Sequence, residues 1–308
     1  MENASTRPVP SPFNGPLQGG PTRPRAAPAT SHEQLDVTVH GLRLRYVDVP
    51  ASGAEEGPPV LLIHGHASRI EEYERFIPHL RGRRRVLVPD LPGCGYSEKP
   101  DRPYHLRLYE DTLLAFLDRL GVDRADLAGG SLGGNLVLRL GHREKDRFGK
   151  LAAWAPAGAW TPRSMRGMAL LGRVMKRLPF MFWPSLWVQS RFWYSPDWEG
   201  REASYRSIWS FTKEVYGPAF RRMYWEIGVD QALQTLFDRA HEIEHQTYLA
   251  VGDKDTALAM DRGVRRLSTM VPNASFRVWE GARHALANEI PHLLGPDVDR
   301  FLHGQWQA

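Results

Sequence analysis

Two kinds of hydrophobic pattern follow one another along the chain and predict its strands. Residues 35–39 and 42–47 alternate apolar and polar side chains on either side of Gly41, which is typical of an antiparallel hairpin. Later runs are short and continuously apolar, which indicates strands covered on both faces, as in a parallel sheet. These runs are residues 60–63, 86–88, 125–128, 151–154, 248–251 and 276–279.

Helical periodicity lies between these predicted strands. It is clearest in residues 104–120, where six large apolar side chains fall on one face of a helix. They are Leu106, Tyr109, Leu113, Phe116, Leu117 and Leu120. Because strand and helix signals alternate, right-handed crossovers are expected. The chain is therefore predicted to form an α/β fold with a doubly wound, mostly parallel eight-stranded sheet.

One long stretch interrupts this alternation and predicts a helical cap. From Trp154 to the next strand signal near Thr247 no clear strand pattern occurs, and this stretch holds eight of the ten tryptophans. A connection of this length must carry its own structure. We predict a core of residues 34–157 and 240–305, with an inserted cap, or lid, of residues 158–239.

The beginning of the chain has a different composition. Residues 1–33 contain seven prolines and few apolar side chains. Such a segment buries too little apolar surface to offset the entropy lost on ordering. It is predicted to be a disordered, proline-rich tail.

Composition and charge narrow the class of protein. The 308 residues include 40 basic and 35 acidic side chains, and the densest basic run, Arg83 to Arg85, is short, so no nucleic-acid partner is expected. No apolar run reaches the length of a membrane span, and the N-terminus lacks the apolar segment of a secretory signal. The single cysteine, Cys94, excludes an intrachain disulfide and a multi-cysteine zinc site. A cytoplasmic protein is the simplest interpretation.

The strongest chemical signal is a glycine-rich turn around Ser131. Gly129-Gly130-Ser131-Leu132-Gly133-Gly134 follows the predicted strand 125–128 and precedes a helical pattern, so Gly-x-Ser-x-Gly stands in a strand–turn–helix context. Small residues on either side of the serine let the strand and the helix approach closely. The N-terminus of that helix also stabilises negative charge. This pattern predicts that Ser131 is a nucleophile.

A serine nucleophile needs a base, and the base needs an orienting carboxylate. His284 follows the predicted strand 276–279, and Asp255 follows the predicted strand 248–251 in Gly252-Asp253-Lys254-Asp255. Both loops leave the carboxyl ends of parallel strands. We predict that His284 is the base and Asp255 its partner, with Asp253 as the alternative acid. The order serine, acid, histidine is that of the α/β hydrolases.

An acyl-transfer site also needs donors for an oxyanion. The backbone N–H of Leu132, directly after the serine, is one candidate. The backbone N–H of His66, in the loop after the predicted strand 60–63, is the second, since Gly65 allows a close turn there.

Two histidine pairs raise the alternative of a metal site. His64 and His66 have no third ligand nearby in the sequence, and His241-Glu242-Ile243-Glu244-His245 fits the His-Glu-x-x-His pattern of zinc proteases. That pattern requires a helix, yet a strand is predicted to begin directly afterwards. We therefore expect neither a metal nor a cofactor.

Taken together, these motifs resemble the α/β-hydrolase family across residues 35–303. The matching pieces are His64-Gly65, the stretch from Asp90 to Ser97, the turn Gly130 to Gly134, Gly252 to Asp255, and His284 with Glu289-Ile290-Pro291 behind it. The resemblance implies the fold, a cap after the sixth strand, and the roles assigned to Ser131, Asp255 and His284. Relatives that dehalogenate or open epoxides use a carboxylate nucleophile, so the serine argues against both activities.

These observations favour a serine hydrolase that cleaves carboxylic esters of a hydrophobic small molecule. Carbon–carbon hydrolases of ring-cleavage dienones, aminopeptidases and cofactor-free haloperoxidases share the scaffold and stay open as alternatives, as does a non-enzymatic binding module. The carbon–carbon relatives commonly carry tryptophan after the catalytic histidine, where this chain has Ala285.

The sequence of the cap leaves one further alternative open. Between Arg163 and Trp187 basic residues are interleaved with methionine, leucine, phenylalanine and tryptophan. This combination suits an anionic membrane surface. Packing of the cap helices over the pocket is the favoured interpretation of the same pattern.

Overall fold

The structure is a computed structural model that describes residues 30–160, 162–256 and 259–307. Of the predicted tail, residues 1–29 lie outside the described residues, so its disorder stays a prediction. The first strand of the described chain begins at Gln34.

The described chain forms one eight-stranded sheet. The strands are β1 (Gln34–Val39), β2 (Leu42–Val49), β3 (Val60–Ile63), β4 (Val86–Pro89), β5 (Ala125–Gly130), β6 (Phe148–Trp154), β7 (Thr247–Gly252) and β8 (Ala274–Trp279). They lie in the order β1-β2-β4-β3-β5-β6-β7-β8. Antiparallel pairing is confined to β1 with β2 and β2 with β4, and the other neighbours are parallel. The predicted fold class, a mostly parallel eight-stranded sheet with a leading hairpin, is confirmed.

The last strand differs from its sequence-based expectation. β8 is half-exposed along its whole length, whereas continuous apolar character predicted cover on both faces. That prediction is wrong for β8 because the run includes the charged Arg277 and because the strand lies at the edge of the sheet, beside β7 alone. Central strands such as β5 are buried at every residue.

Helices cover both faces of the sheet. They are α1 (Ile77–Leu80), α2 (Leu106–Arg119), α3 (Leu132–Arg143), α4 (Pro162–Met175), α5 (Phe182–Ser190), α6 (Arg201–Val215), α7 (Pro218–Leu233), α8 (Met260–Ser268), α9 (Leu286–Glu289) and α10 (Pro291–Leu302). Within the described ranges, none of them is long and apolar enough to cross a membrane.

Two hydrophobic cores lie on opposite faces of the sheet, because the side chains of successive strand residues point to opposite faces. In β3, Leu61 and Ile63 join the core beneath α2, α3 and α8, whereas Val60 and Leu62 join the core beneath α1, α9 and α10. Strands that are apolar at every position are therefore buried on both sides.

The stretch between β6 and β7 carries α4, α5, α6 and α7, and we refer to it as the cap. Its aromatic side chains pack on one another: the Phe182 ring lies 4.9 Å from Tyr216, 5.0 Å from Tyr224 and 6.1 Å from Phe220, centroid to centroid. The stacked pair Trp183 and Trp209 lies at 5.4 Å. The exact domain limits, residues 158–239 for the cap, stay a prediction.

A buried charge cluster fixes the loops at the carboxyl ends of β3 and β4. Arg45 is 3% exposed, and it donates to Asp90 at 2.7 Å and to Glu71 at 2.8 and 2.9 Å. Asp90 also accepts the backbone N–H groups of Ile70 and Tyr96. Burial alone would raise the pKa of Asp90, but the charge and hydrogen bond of Arg45 outweigh it and hold this pKa below the ordinary value.

Replacing Arg45 with methionine is expected to lower the free energy of unfolding at neutral pH by about 3–5 kcal/mol, because Asp90 and Glu71 lose their buried counter-charge. A carboxyl with a lowered folded-state pKa contributes stability above its unfolded pKa and loses it as the pH falls. The difference between Arg45→Met and the wild type should therefore shrink toward acid pH. Urea denaturation at several pH values measures it.

Arg206→Met is the matched control, since Arg206 pairs with Glu202 on the exposed surface of α6. It should leave the free energy of unfolding nearly unchanged. Equal losses for the two variants at neutral pH would contradict a stabilising role for the cluster.

Candidate active site

Ser131 occupies a sharp turn between β5 and α3. Its backbone has φ 55° and ψ −118°, a left-handed conformation that costs energy in a residue other than glycine. Hydrogen bonds fix the turn: the Ser131 N–H donates to Trp154 O at 3.0 Å, and its carbonyl accepts from Asn135 and Ala157. The serine side chain is thereby held at the carboxyl end of the sheet.

Glycines make room for this turn. A Cβ atom at Gly133 would lie 1.8 Å from the carbonyl oxygen of Ile63, and one at Gly130 would lie 2.1 Å from the indole nitrogen of Trp154. The buried hydroxyl of Tyr73 links β3 to β5, because it donates to Ile63 O and accepts from the Gly130 N–H. Sterics thus explain the glycine-rich pattern seen in the sequence.

The structure brings the three predicted side chains together. His284 Nε2 lies 2.9 Å from Ser131 Oγ, and His284 Nδ1 lies 2.8 Å from Asp255 Oδ2. Asp255 follows β7 and is fully buried, whereas His284 follows β8. The two loops are joined where Lys254 N–H donates to Ala282 O at 3.0 Å. The hydroxyl, imidazole and carboxylate form one hydrogen-bonded chain.

The alternative acid, Asp253, lies elsewhere in the same loop. Its carboxylate accepts the Gly281 N–H at 2.7 Å and pairs with Lys254 at 3.1 Å. Asp253 therefore links the loops after β7 and β8, while Asp255 contacts the imidazole.

Nearby carboxylates set the protonation of His284. Burial lowers its pKa, but the charge and hydrogen bond of Asp255, together with the charges of Glu289 and Glu72, outweigh burial and raise the pKa above the ordinary value. The imidazole is thus a stronger base than an isolated histidine. It is also better able to hold a proton taken from the serine.

The loop after β3 lies beside the serine, as the predicted oxyanion donors require. A Cβ at Gly65 would lie 3.6 Å from the Cβ of Ser131. Leu132 is the first residue of α3, so its backbone N–H has no acceptor within the helix. The imidazole of His66 stacks on Tyr224 at 4.9 Å, and burial lowers its pKa to about 4. The His66 ring is therefore neutral and adds no charge beside Ser131.

Two of the four histidines that suggested a metal, His64 and His245, are engaged with the backbone. His64 Nδ1 lies 2.7 Å from Gly65 O, and His64 Nε2 accepts the Leu91 N–H at 3.0 Å. His245 lies 2.9 Å from the carbonyl oxygens of both Gly149 and Gly141, and His241 is in a 3-10 turn instead of an α-helix. In the described part of the chain, no group of three or more histidine, cysteine or acidic side chains is placed to hold a metal ion.

A cavity of about 1110 Å³ lies between the sheet and the cap. Ser131 and His284 line its floor, and most of its walls come from apolar and aromatic residues of the cap. The cap also contacts the histidine loop directly, since Ala285 N–H donates to Trp193 O at 3.0 Å. The serine hydroxyl therefore faces a large apolar chamber.

Sequence reasoning missed the ionisable residues of this chamber that follow His66, and Glu72 is the one among them that acts on His284. Glu72 lines the cavity in the 3-10 turn Ile70–Tyr73, and its negative charge contributes to the raised pKa of His284. Burial raises the pKa of Glu72 itself. The only signal in the sequence is a pair of adjacent carboxylates, Glu71 and Glu72, between the apolar residues Ile70 and Tyr73, a few positions after His66.

Comparison with known proteins gives the family. A family model described as the alpha/beta hydrolase fold matches residues 58–287. The enol-lactonase of Burkholderia xenovorans LB400 superposes with a TM-score of 0.73 at 22% identity, covering 87% of this chain and all of that one. At that identity the likeness concerns the fold alone.

Curated relatives match shorter segments. The 2-hydroxymuconate semialdehyde hydrolase of Pseudomonas sp. strain CF600 is 35% identical over 141 residues, which are 44% of this chain and 48% of that protein. A haloalkane dehalogenase of Psychrobacter cryohalolentis is 36% identical over 115 residues, which are 36% of this chain and 37% of that protein. This chain therefore spans about half or less of the length of these relatives.

The hydrogen-bonded chain predicts how the reactivity of Ser131 depends on pH. Labelling of Ser131 by a fluorophosphonate should accelerate as the pH rises through the pKa of His284, because the neutral imidazole is the base. Asp255→Asn should slow labelling by roughly three to four orders of magnitude. It should also lower the midpoint, since burial then dominates the pKa of His284. Rates measured across a pH series give both quantities.

Two variants serve as controls. Glu72→Gln should lower the midpoint less than Asp255→Asn does, because it removes a weaker contribution. Asp253→Asn should leave the midpoint in place, since its amide oxygen still accepts the Gly281 N–H. An unchanged midpoint in Asp255→Asn would contradict the assignment of Asp255.

Proposed function

The chain belongs to the α/β hydrolase fold family, and we propose that it is a serine hydrolase that cleaves carboxylic esters of hydrophobic small molecules. The observation that carries this proposal is the hydrogen-bonded chain from Ser131 through His284 to Asp255. Such a chain activates a hydroxyl for attack on a carbonyl.

The proposed reaction proceeds through an acyl-enzyme. Ser131 Oγ attacks the ester carbonyl while His284 Nε2 takes its proton, and Asp255 stabilises the resulting imidazolium. The backbone N–H groups of Leu132 and His66 bind the oxyanion. His284 then returns the proton to the leaving alcohol. Water, deprotonated by the same imidazole, releases the acid and regenerates the serine.

The cavity supports a hydrophobic substrate. Its walls include aromatic residues from the cap, among them Phe182, Phe220 and Tyr224, which pack on one another, and most of the lining surface is apolar. A mostly apolar chamber with a few convergent polar groups binds an acyl or aryl group better than a sugar.

One comparison favours a second candidate, hydrolysis of a carbon–carbon bond. The segment shared with the 2-hydroxymuconate semialdehyde hydrolase is the basis for it. Ala285 counts against this candidate, because carbon–carbon hydrolases of the family commonly carry tryptophan after the catalytic histidine. The likeness to a haloalkane dehalogenase supports no dehalogenation here, since Ser131 stands where those relatives use a carboxylate.

Ser131→Ala is expected to abolish fluorophosphonate labelling and to lower hydrolysis of aryl esters by more than about 10⁴-fold, because the nucleophile is lost. In the wild type, each methylene added to the acyl chain should lower KM about fourfold until the cavity is filled. Steady-state kinetics on a series of aryl esters, with a vinylogous diketone alongside, measures these effects.

Ser185→Ala, which alters another serine of the cavity wall, is the matched control and should label normally. Full ester turnover by Ser131→Ala would refute the proposal. Faster turnover of the vinylogous diketone than of every ester would establish the carbon–carbon activity in its place.

A further inference from the structure

The cap exposes large apolar side chains to solvent. We define the cap surface patch as the exposed apolar residues of α4, α5 and the segments adjoining α5. They are Leu170, Leu171, Val174, Phe180, Trp187, Val188 and Phe192. Phe180 is 69% exposed and Trp187 is 51% exposed. Large apolar side chains that are exposed at several nearby positions of one segment are typical of a surface that contacts a protein or a membrane.

Part of the cap surface patch is also the wall of the cavity. Leu171, Val188 and Phe192 are 52%, 51% and 46% exposed, and all three line the chamber that contains Ser131 and His284. These three residues therefore contact both the chamber and the solvent. The apolar lining therefore continues from the interior of the chamber onto the outer surface.

Positive charge accompanies this apolar surface. Residues 158–196 contain six arginine or lysine residues and no aspartate or glutamate. Arg173 and Arg177 are exposed on and after α4, and the guanidinium of Arg191 lies 4.5 Å from the ring centre of Trp187. Glu226 of α7 pairs with Lys176 at the side of α4. Among the described side chains of the segment, Arg173, Arg177 and Arg191 therefore place positive charge near exposed apolar residues.

We propose that the cap surface patch docks on a lipid bilayer that contains anionic lipids. Tryptophan and phenylalanine enter the boundary between headgroups and acyl chains, while arginines contact the phosphates. An amphipathic ester then passes from the bilayer into the chamber between Leu171, Val188 and Phe192. This last step rests on the proposed function, whereas the docking itself does not.

Charge favours a bilayer over a second copy of the chain as the occupant. In a two-fold symmetric dimer the same patch would form both sides of the interface, so both sides would carry a net positive charge. Like charges in such an interface oppose association, whereas an anionic lipid surface attracts them.

Flotation of the full chain with vesicles tests the docking. The wild type should float with vesicles of equal parts phosphatidylcholine and phosphatidylglycerol, and less with phosphatidylcholine alone. High salt should reduce flotation because it screens the arginines. The double variant Phe180→Ser/Trp187→Ser should bind about tenfold more weakly or worse, since the inserted rings are lost. Neither residue lines the cavity, so hydrolysis of a dispersed ester should be unchanged.

Matched controls separate the patch from general hydrophobicity and charge. Leu293→Ser removes an exposed apolar side chain from α10 on the core and should float like the wild type. Arg177→Glu should weaken binding to the anionic vesicles, whereas Arg119→Glu, the same charge change at the end of α2, should not.

Several outcomes would overturn the docking. One is that the wild type does not float with anionic vesicles, and another is that the patch variant and the Leu293 control bind equally well. A third is that the wild type forms a dimer, binds no vesicles, and becomes a monomer in the patch variant. Ser131→Ala should float like the wild type. The experiment therefore distinguishes a failure of the esterase proposal, in which flotation stays intact, from a failure of the docking, in which ester hydrolysis stays intact.

Discussion

The backbone of Gly133 lies so close to the last residue of β3 that a single methyl group there would collide with the Ile63 carbonyl. This contact places the first turn of α3 directly behind Ser131, so the serine sits on a left-handed turn with its hydroxyl raised above the sheet. The same contact brings the loop after β3 beside the serine. One steric constraint thus positions the nucleophile and the candidate oxyanion donors together.

The remaining members of the site depend on the parallel sheet. Because β5, β7 and β8 end at the same edge, the loops that follow them converge although they are far apart in the chain. Asp255 and Asp253 lie two residues apart in one loop but have different contacts. The Asp255 carboxylate bonds to the imidazole of His284, whereas the Asp253 carboxylate bonds to the loop after β8. Burial strengthens these interactions because little water competes for the same groups.

Much of this arrangement could be predicted from the sequence, and the reasons are local. Ser131 stands in a glycine pattern that only a tight strand–helix turn requires, and His284 and Asp255 directly follow apolar runs that form strands. Glu72 could not be predicted in this way, since its position near His284 depends on how the segment after β3 packs. The edge position of β8 could not be predicted for a similar reason, because the apolar character of a strand does not reveal whether a second neighbouring strand exists.

Trp154 ends β6, receives the hydrogen bond of the Ser131 N–H, and is also where the chain leaves the sheet to build the cap. β7, which pairs with β6, follows the cap in the chain. During biosynthesis the serine therefore emerges from the ribosome 153 residues ahead of His284. Under the proposed function, a nascent chain displays the hydroxyl without its base, and proton transfer becomes possible only when the final strands have joined the sheet. The order of the chain itself thus delays reactivity until folding is nearly finished.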